Sequence, residues 1–186
     1  MKKYNFQKKQ IIESIIIYGI LIVLCIWLLQ GKDNFHIDEM FSYGLSNHVG
    51  SVEMLPPESG RVFSPPEKAY FKYLTVADNQ RFNYENVWIN QHTDVHPPFY
   101  YSILHTICSL FPGNFSIWYA GIINIMAVVG VLFMLRKILE LLEADIVTKT
   151  VISCLFIFST GIWSAVSFLR MYALTMFWVT LTAYIF

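Results

Sequence analysis

A chain of 186 residues with 55% hydrophobic residues, 14% charged residues and a mean hydropathy of +0.48 lies outside the composition of ordinary soluble domains. Thirteen basic residues balance thirteen acidic ones, which excludes the global basic field that holds nucleic acid. Cys25, Cys108 and Cys154 are odd in number and all fall in apolar runs, so they read as small buried hydrophobes rather than a disulfide framework or a zinc motif.

Residues 1–10 carry Lys2, Lys3, Lys8 and Lys9 and are expected to form a cytoplasmic N-terminus. The apolar run 11–29 follows, close to the roughly 20 residues a helix needs to cross about 30 Å of hydrocarbon. A cleaved signal peptide is the competing reading. The run exceeds a signal core of roughly 7 to 15 residues and ends Trp27-Leu28-Leu29-Gln30 with no small-residue cleavage site, which favours an anchor.

Residues 30–116 turn polar, with Pro56-Pro57, Pro65-Pro66 and most of the acidic residues, and read as an extracytoplasmic loop. Within it the stretch 97–111 rises only about 22 Å as a helix, too short to span. Tyr100, Ile103, Leu104, Ile107, Leu110 and Phe111 recur at helical spacing, opposite Ser102, His105, Thr106 and Ser109. That pattern predicts a juxtamembrane amphipathic helix lying in the interface plane. Pro97 and Pro98 suit its first turn, and Pro112-Gly113-Asn114 ends it.

Residues 117–135 and 151–169 read as the second and third spans, joined by a cytoplasmic loop 136–150. An inward second span places Arg136, Lys137 and Lys149 with the N-terminal lysines, as the positive-inside rule requires; the opposite topology exports all three. Arg170 then emerges on the same side as the polar loop. The run 173–186 reads as the start of a fourth span cut through its middle, so the chain is expected to be the N-terminal part of a larger protein. The expected fold is an all-α, multi-pass integral membrane protein of the cell membrane, a partial transmembrane bundle whose extracytoplasmic loop bears juxtamembrane helices.

Three clusters offer chemistry. His36-Ile37-Asp38-Glu39 places an acidic pair within about ten residues of the membrane exit, although Asp38 would equally serve as the N-cap of a helix starting at Glu39. His92-Thr93-Asp94-Val95-His96-Pro97-Pro98 leads into the predicted interfacial helix and also suits a plain capping turn. The spacing of His92 and His96 suits a metal, but the two prolines argue against one helix running through both. Arg170-Met171-Tyr172 joins two apolar runs, where an arginine is either a snorkelling anchor or a functional cation. Asn124 and Glu13, in or near apolar runs, read as helix-packing or interfacial residues.

Taken together, a span, a loop opening Asp38-Glu39, a helix start Asp94-Val95-His96-Pro97-Pro98-Phe99-Tyr100-Tyr101, an inward span and an outward span ending Arg170-Met171-Tyr172 resemble one group. The chain resembles the N-terminal part of the polyprenyl-phosphate-sugar-dependent glycosyltransferases of the GT-C fold, which include protein O-mannosyltransferases and aminoarabinose transferases. The resemblance implies a membrane enzyme that transfers a sugar from a polyprenyl-phosphate carrier to a protein, lipid or glycan acceptor with inversion. It implies Asp38 as catalytic base or acceptor-orienting carboxylate, with Glu39 supporting it. His36, Asp94, His96 and Tyr100 would line the site, and Arg170 with Tyr172 would meet the lipid phosphate. The resemblance fixes no definite cofactor and is compatible with a divalent metal. Membrane lipids are the other expected partners; nucleic acid is not one.

Two further readings belong to other classes. In one, the chain is a non-catalytic membrane subunit or truncated remnant whose Asp38, Glu39 and His96 only order the loop. In the other, it is a metal-dependent membrane hydrolase using His36, Asp38, His92 and His96.

Overall fold

The computed structural model describes residues 2–50 and 68–186, with side chains at 8–50 and 71–186. The proline pairs at 56–57 and 65–66 lie outside the described residues. Among the described residues every regular element is helical: α1 (Lys2–Gln30), α2 (Ile37–Asn47), α3 (Lys68–Leu74), α4 (Tyr84–His92), α5 (Phe99–Leu110), α6 (Ile117–Leu141), α7 (Ile146–Ile157), α8 (Thr160–Ser167) and α9 (Tyr172–Ile185), with a single 3-10 turn at Asp78–Gln80 between α3 and α4. They form two compact units: an apolar one, Met1–Asp33 with Asn124–Phe186, and a polar one, Asn34–Ile123.

In the apolar unit, the 23 residues Lys8–Gln30 of α1 and the 25 residues of α6 are long and apolar enough to cross a membrane. At about 1.5 Å per residue they rise about 35 and 38 Å, more than the hydrocarbon thickness. The third expected span is not one straight helix. It starts at Ile146, where the Asp145 carboxylate accepts from the Thr148 N–H (2.7 Å), and it bends by 51° between α7 and α8. Counted as one broken span, the pair makes the total three.

The bend sits at Phe158-Ser159. Ser159 Oγ accepts from the Ile162 N–H (3.3 Å), and Trp163 Nε1 donates to the Ile157 carbonyl (2.8 Å). A break in an apolar segment is tolerated when the groups it frees are bonded again in this way. α1 packs on α7 and α8, and α8 on α9. Gly130 of α6 lies under the Phe177 ring of α9, 2.7 Å from where a Cβ would stand, so only glycine allows that approach.

The same unit encloses a charge cluster. Arg136 of α6 donates through both terminal nitrogens to the two carboxylate oxygens of Glu13 (2.9 and 2.6 Å), and also to Ser153 Oγ and Ser14 Oγ (3.2 Å each). Thr150 Oγ1 donates to the same carboxylate (2.9 Å). Arg136 therefore does not open the loop 136–150 as the sequence suggests: α6 continues to Leu141, and the guanidinium turns back to α1 and α7. A hydrogen-bonded pair is the form in which charge persists in such surroundings.

In the polar unit α2 is the hub, packed against α3, α4 and α5. α5 buries Tyr100, Tyr101 and Leu104, and also His105, Cys108 and Ser109. This differs from the expected helix lying polar side outward in the interface plane, because protein supplies partners for that polar side. His105 Nδ1 lies 3.3 Å from Asn47 Oδ1, Arg81 Nε donates to the Ser109 carbonyl (2.8 Å), and Ser109 Oγ accepts from the Phe82 N–H (3.0 Å).

Candidate functional site

The acidic pair is organised by the start of α2. His36, in extended conformation (φ −72°, ψ 149°), is the N-cap, so the cap is neither Asp38 nor the helix start Glu39. His36 Nδ1 accepts from the Asp38 N–H (3.2 Å), and Glu39 Oε2 accepts from the His36 N–H (2.7 Å). This is a reciprocal capping box with histidine in the place usual for serine or threonine. The helix begins earlier than the acidic pair alone suggests. Both carboxylates therefore fall in the first turn, where the helix dipole favours negative charge.

The box separates the two carboxylates. Glu39 is 1% exposed and locked by its bond to the His36 backbone, whereas the Asp38 side chain keeps 39% exposure, with its Oδ2 3.7 Å from His36 Nδ1. Of the two, Asp38 is the more exposed.

α2 is itself held rigidly. The Tyr43 hydroxyl donates to the Ser116 carbonyl (2.7 Å) and accepts from the Ala120 N–H (3.1 Å), tying α2 to the start of α6. Burial holds this hydroxyl well above the ordinary tyrosine range, so it stays a neutral donor. At the other end Asn90 Nδ2 donates to the carbonyls of Leu45 (3.1 Å) and His48 (2.7 Å), and Asn47 Nδ2 donates to the Leu74 carbonyl (2.7 Å). Sequence reasoning missed these anchors. Their only trace in the chain is polar residues at helical positions that the apolar pattern would assign to the core.

The second cluster forms where α4 ends. The Thr93 N–H donates to the Asn90 carbonyl (3.3 Å) and the Asp94 N–H to that of Gln91 (3.2 Å), which turns the chain toward Pro97. Asp94 Oδ2 then lies 2.8 Å from His96 Nδ1, both side chains about one-fifth exposed. A carboxylate on Nδ1 fixes the ring orientation and favours the tautomer that keeps Nε2 basic. The His96 ring lies 6.4 Å from that of Tyr101, which meets Tyr100 edge-on at 5.6 Å. Nearby, burial and the Asp94 charge push the Tyr73 hydroxyl up to about 12.

His36, Asp38, Glu39, Asp94, His96 and Tyr100 thus all belong to the polar unit, positioned by α2, α5 and the turn after α4. Among the described residues no three His, Cys, Asp or Glu side chains converge on a point that would hold a metal ion, so His36, Asp38, His92 and His96 form no such donor set.

Arg170 and Tyr172 belong to the apolar unit. Arg170 is 6% exposed, a buried cation rather than a snorkelling one, and its guanidinium carbon lies 5.7 Å from the centroid of the Tyr172 ring. The turn carrying it is shaped by Asn124, whose Nδ2 donates to the carbonyls of Ala165 (3.2 Å), Val166 (3.3 Å) and Phe168 (2.9 Å). Phe168 stacks on Tyr172 at 5.8 Å. Asn124 reads as a packing residue in the sequence; here it caps the end of α8, in the turn that leads to Arg170.

Set against known proteins, no family model, no curated protein and no solved structure matches the chain.

Proposed function

We propose that this chain is the membrane section of a glycosyltransferase of the GT-C kind, transferring a sugar from a polyprenyl-phosphate carrier to an acceptor outside the cytoplasm. The N-terminus is cytoplasmic and the polar unit extracytoplasmic in this reading. The observation that carries it is the division made by the α2 capping box. One acidic side chain, Glu39, is spent on structure, while Asp38 is held on a rigid helix start and stays accessible.

The chemistry assigns the roles. The acceptor hydroxyl oxygen bonds to the anomeric carbon as the bond from that carbon to the carrier phosphate oxygen breaks. The hydroxyl proton passes to Asp38, and the bonding electrons leave with the phosphate. A single displacement inverts the anomeric centre. A hydroxyl is a poor nucleophile and needs the carboxylate base. A departing phosphate needs positive charge more than a general acid, the role proposed for Arg170 beside Tyr172. His96, oriented by Asp94, and Tyr100 are proposed to bind the sugar or acceptor.

Replacing Asp38 by Asn is expected to lower the transfer rate by about two to four orders of magnitude while donor binding stays within about threefold. The measurement is transfer by the purified protein in lipid, with a panel of polyprenyl-phosphate sugars. A D38N rate within about threefold of the parent rules the base role out.

A non-catalytic subunit is the second reading, favoured by the same box and by the Asp94–His96 pair, since both also order loops. It predicts no transfer with any donor even in the full-length protein.

A further inference from the structure

Two deeply buried polar side chains of the polar unit leave hydrogen-bonding atoms unspent. Gln91, in the last turn of α4, is 5% exposed, and neither the oxygen nor the nitrogen of its amide has a hydrogen-bond partner among the described residues. Tyr73, in the last turn of α3, is 2% exposed, and its hydroxyl has none either. A buried polar group left unbonded lowers stability, whereas leucine and phenylalanine would fill the same volumes without that loss. Each such group in a folded protein therefore calls for a reason.

Both residues come from helix ends that meet one stretch of α2 and its cap, Gly44 to His48. Tyr73 approaches through the missing side chain of Gly44, where a Cβ would overlap the ring and its hydroxyl, and the Tyr73 ring lies 5.2 Å from that of His48. Asn90, the neighbour of Gln91, donates to the carbonyls of Leu45 (3.1 Å) and His48 (2.7 Å). The Asp94 N–H donates to the Gln91 carbonyl (3.2 Å), which folds Asp94 back over the end of α4. Burial and the Asp94 charge together keep the Tyr73 hydroxyl protonated. Asp94 Oδ2 in turn holds His96 Nδ1 (2.8 Å).

We propose that Gln91 and Tyr73, with Asp94 and His96, form a subsite that binds the hydroxyl groups of a neutral sugar. The assignment rests on the transferase reading for the kind of hydroxyl compound, and it adds two specificity-determining residues to the role given to His96. An amide offers two donors and one acceptor oxygen, and a tyrosine hydroxyl offers both functions, so the pair suits a partner that donates and accepts at adjacent points. Sugar hydroxyls do both. Asp94 repels an anion, and a metal ion would find in it only one charged ligand, already engaged by His96. Buried polar atoms kept for a ligand also reject analogues that lack the matching hydroxyl, more strongly than an apolar pocket does.

The test is saturation-transfer NMR on the whole chain in phosphatidylcholine nanodiscs, titrated with the methyl glycosides of glucose, mannose, galactose and arabinose. At least one glycoside is expected to bind the parent, and Gln91→Leu and Tyr73→Phe are each expected to weaken that binding by at least about fivefold. Both variants are expected to unfold no lower than the parent, because apolar groups of similar shape replace atoms that the protein itself does not bond. Failure of every glycoside to bind the parent, or binding that survives either substitution, overturns the proposal. A clear fall in unfolding temperature overturns it equally, since the polar atoms would then serve the fold. No transfer is measured, so this result and the Asp38→Asn rate can fail separately.

Discussion

The two units solve the same problem, where to put polar side chains, in opposite ways. In the apolar unit polar groups are few, and they gather: Glu13, Arg136, Thr150, Ser153 and Ser14 bond mainly to one another, while Asn124 spends its amide on three carbonyls at the end of α8. In the polar unit they disperse. Tyr43, Asn47, Asn90 and Arg81 each reach a different stretch of backbone and fasten one helix to the next. Lipid offers no hydrogen bonds, so a polar group there must find its partners in the protein, whereas a polar unit uses such groups to order irregular chain.

The contrast breaks most sharply at Arg136. Replacing it by Met strands the Glu13 carboxylate and is expected to cost about 3 kcal/mol, whereas adding Glu13→Gln to the same protein restores most of the loss. Reversible unfolding in mixed micelles measures both. Equal losses in the single and double variants would mean that the pair is ordinary packing.

A smaller effect is expected at Gly44 in the polar unit, where a Cβ would stand 1.7 Å from the Tyr73 ring. Gly44→Ala is expected to cost about 1–3 kcal/mol by displacing that ring, and Tyr73→Leu in the same chain to recover part of it. Thermal unfolding of the two variants decides.

The smallest effect is one of pH. His105 is 1% exposed, and burial holds its pKa below the ordinary histidine value of 6.5. The unfolded chain therefore binds the proton more readily. Stability from this group is complete above the unfolded pKa and falls as pH drops below it toward the folded one. Unfolding followed across that window is expected to show an acid-side loss that His105→Gln reduces, the remainder including His48, whose pKa burial lowers in the same direction.

Much of this was legible in the chain. The runs that become α1 and α6 declare themselves by length, because about 20 apolar residues have few other uses. The acidic pair and the Asp94–His96 turn stand out as polar residues next to apolar starts. What could not be read are the features made by distant partners. Nothing in Arg136 itself says that Glu13, 123 positions away, will hold it. His36 as a cap is hidden because histidine seldom takes that place. The bend after Phe158 depends on Trp163 reaching back to a carbonyl, and the burial of the polar side of α5 depends on Asn47 and Arg81.

The transferase reading stands on Asp38 and Arg170 serving one substrate, which requires both to open to the same side of the membrane. Ile37 and Tyr172, each about half exposed, are the positions to test. With the native cysteines replaced, the single variants Ile37→Cys and Tyr172→Cys are both expected to react with a membrane-impermeant maleimide added from outside sealed, right-side-out vesicles. Labelling of the Ile37→Cys variant from outside, with labelling of the Tyr172→Cys variant only after the vesicles are opened, would contradict the account.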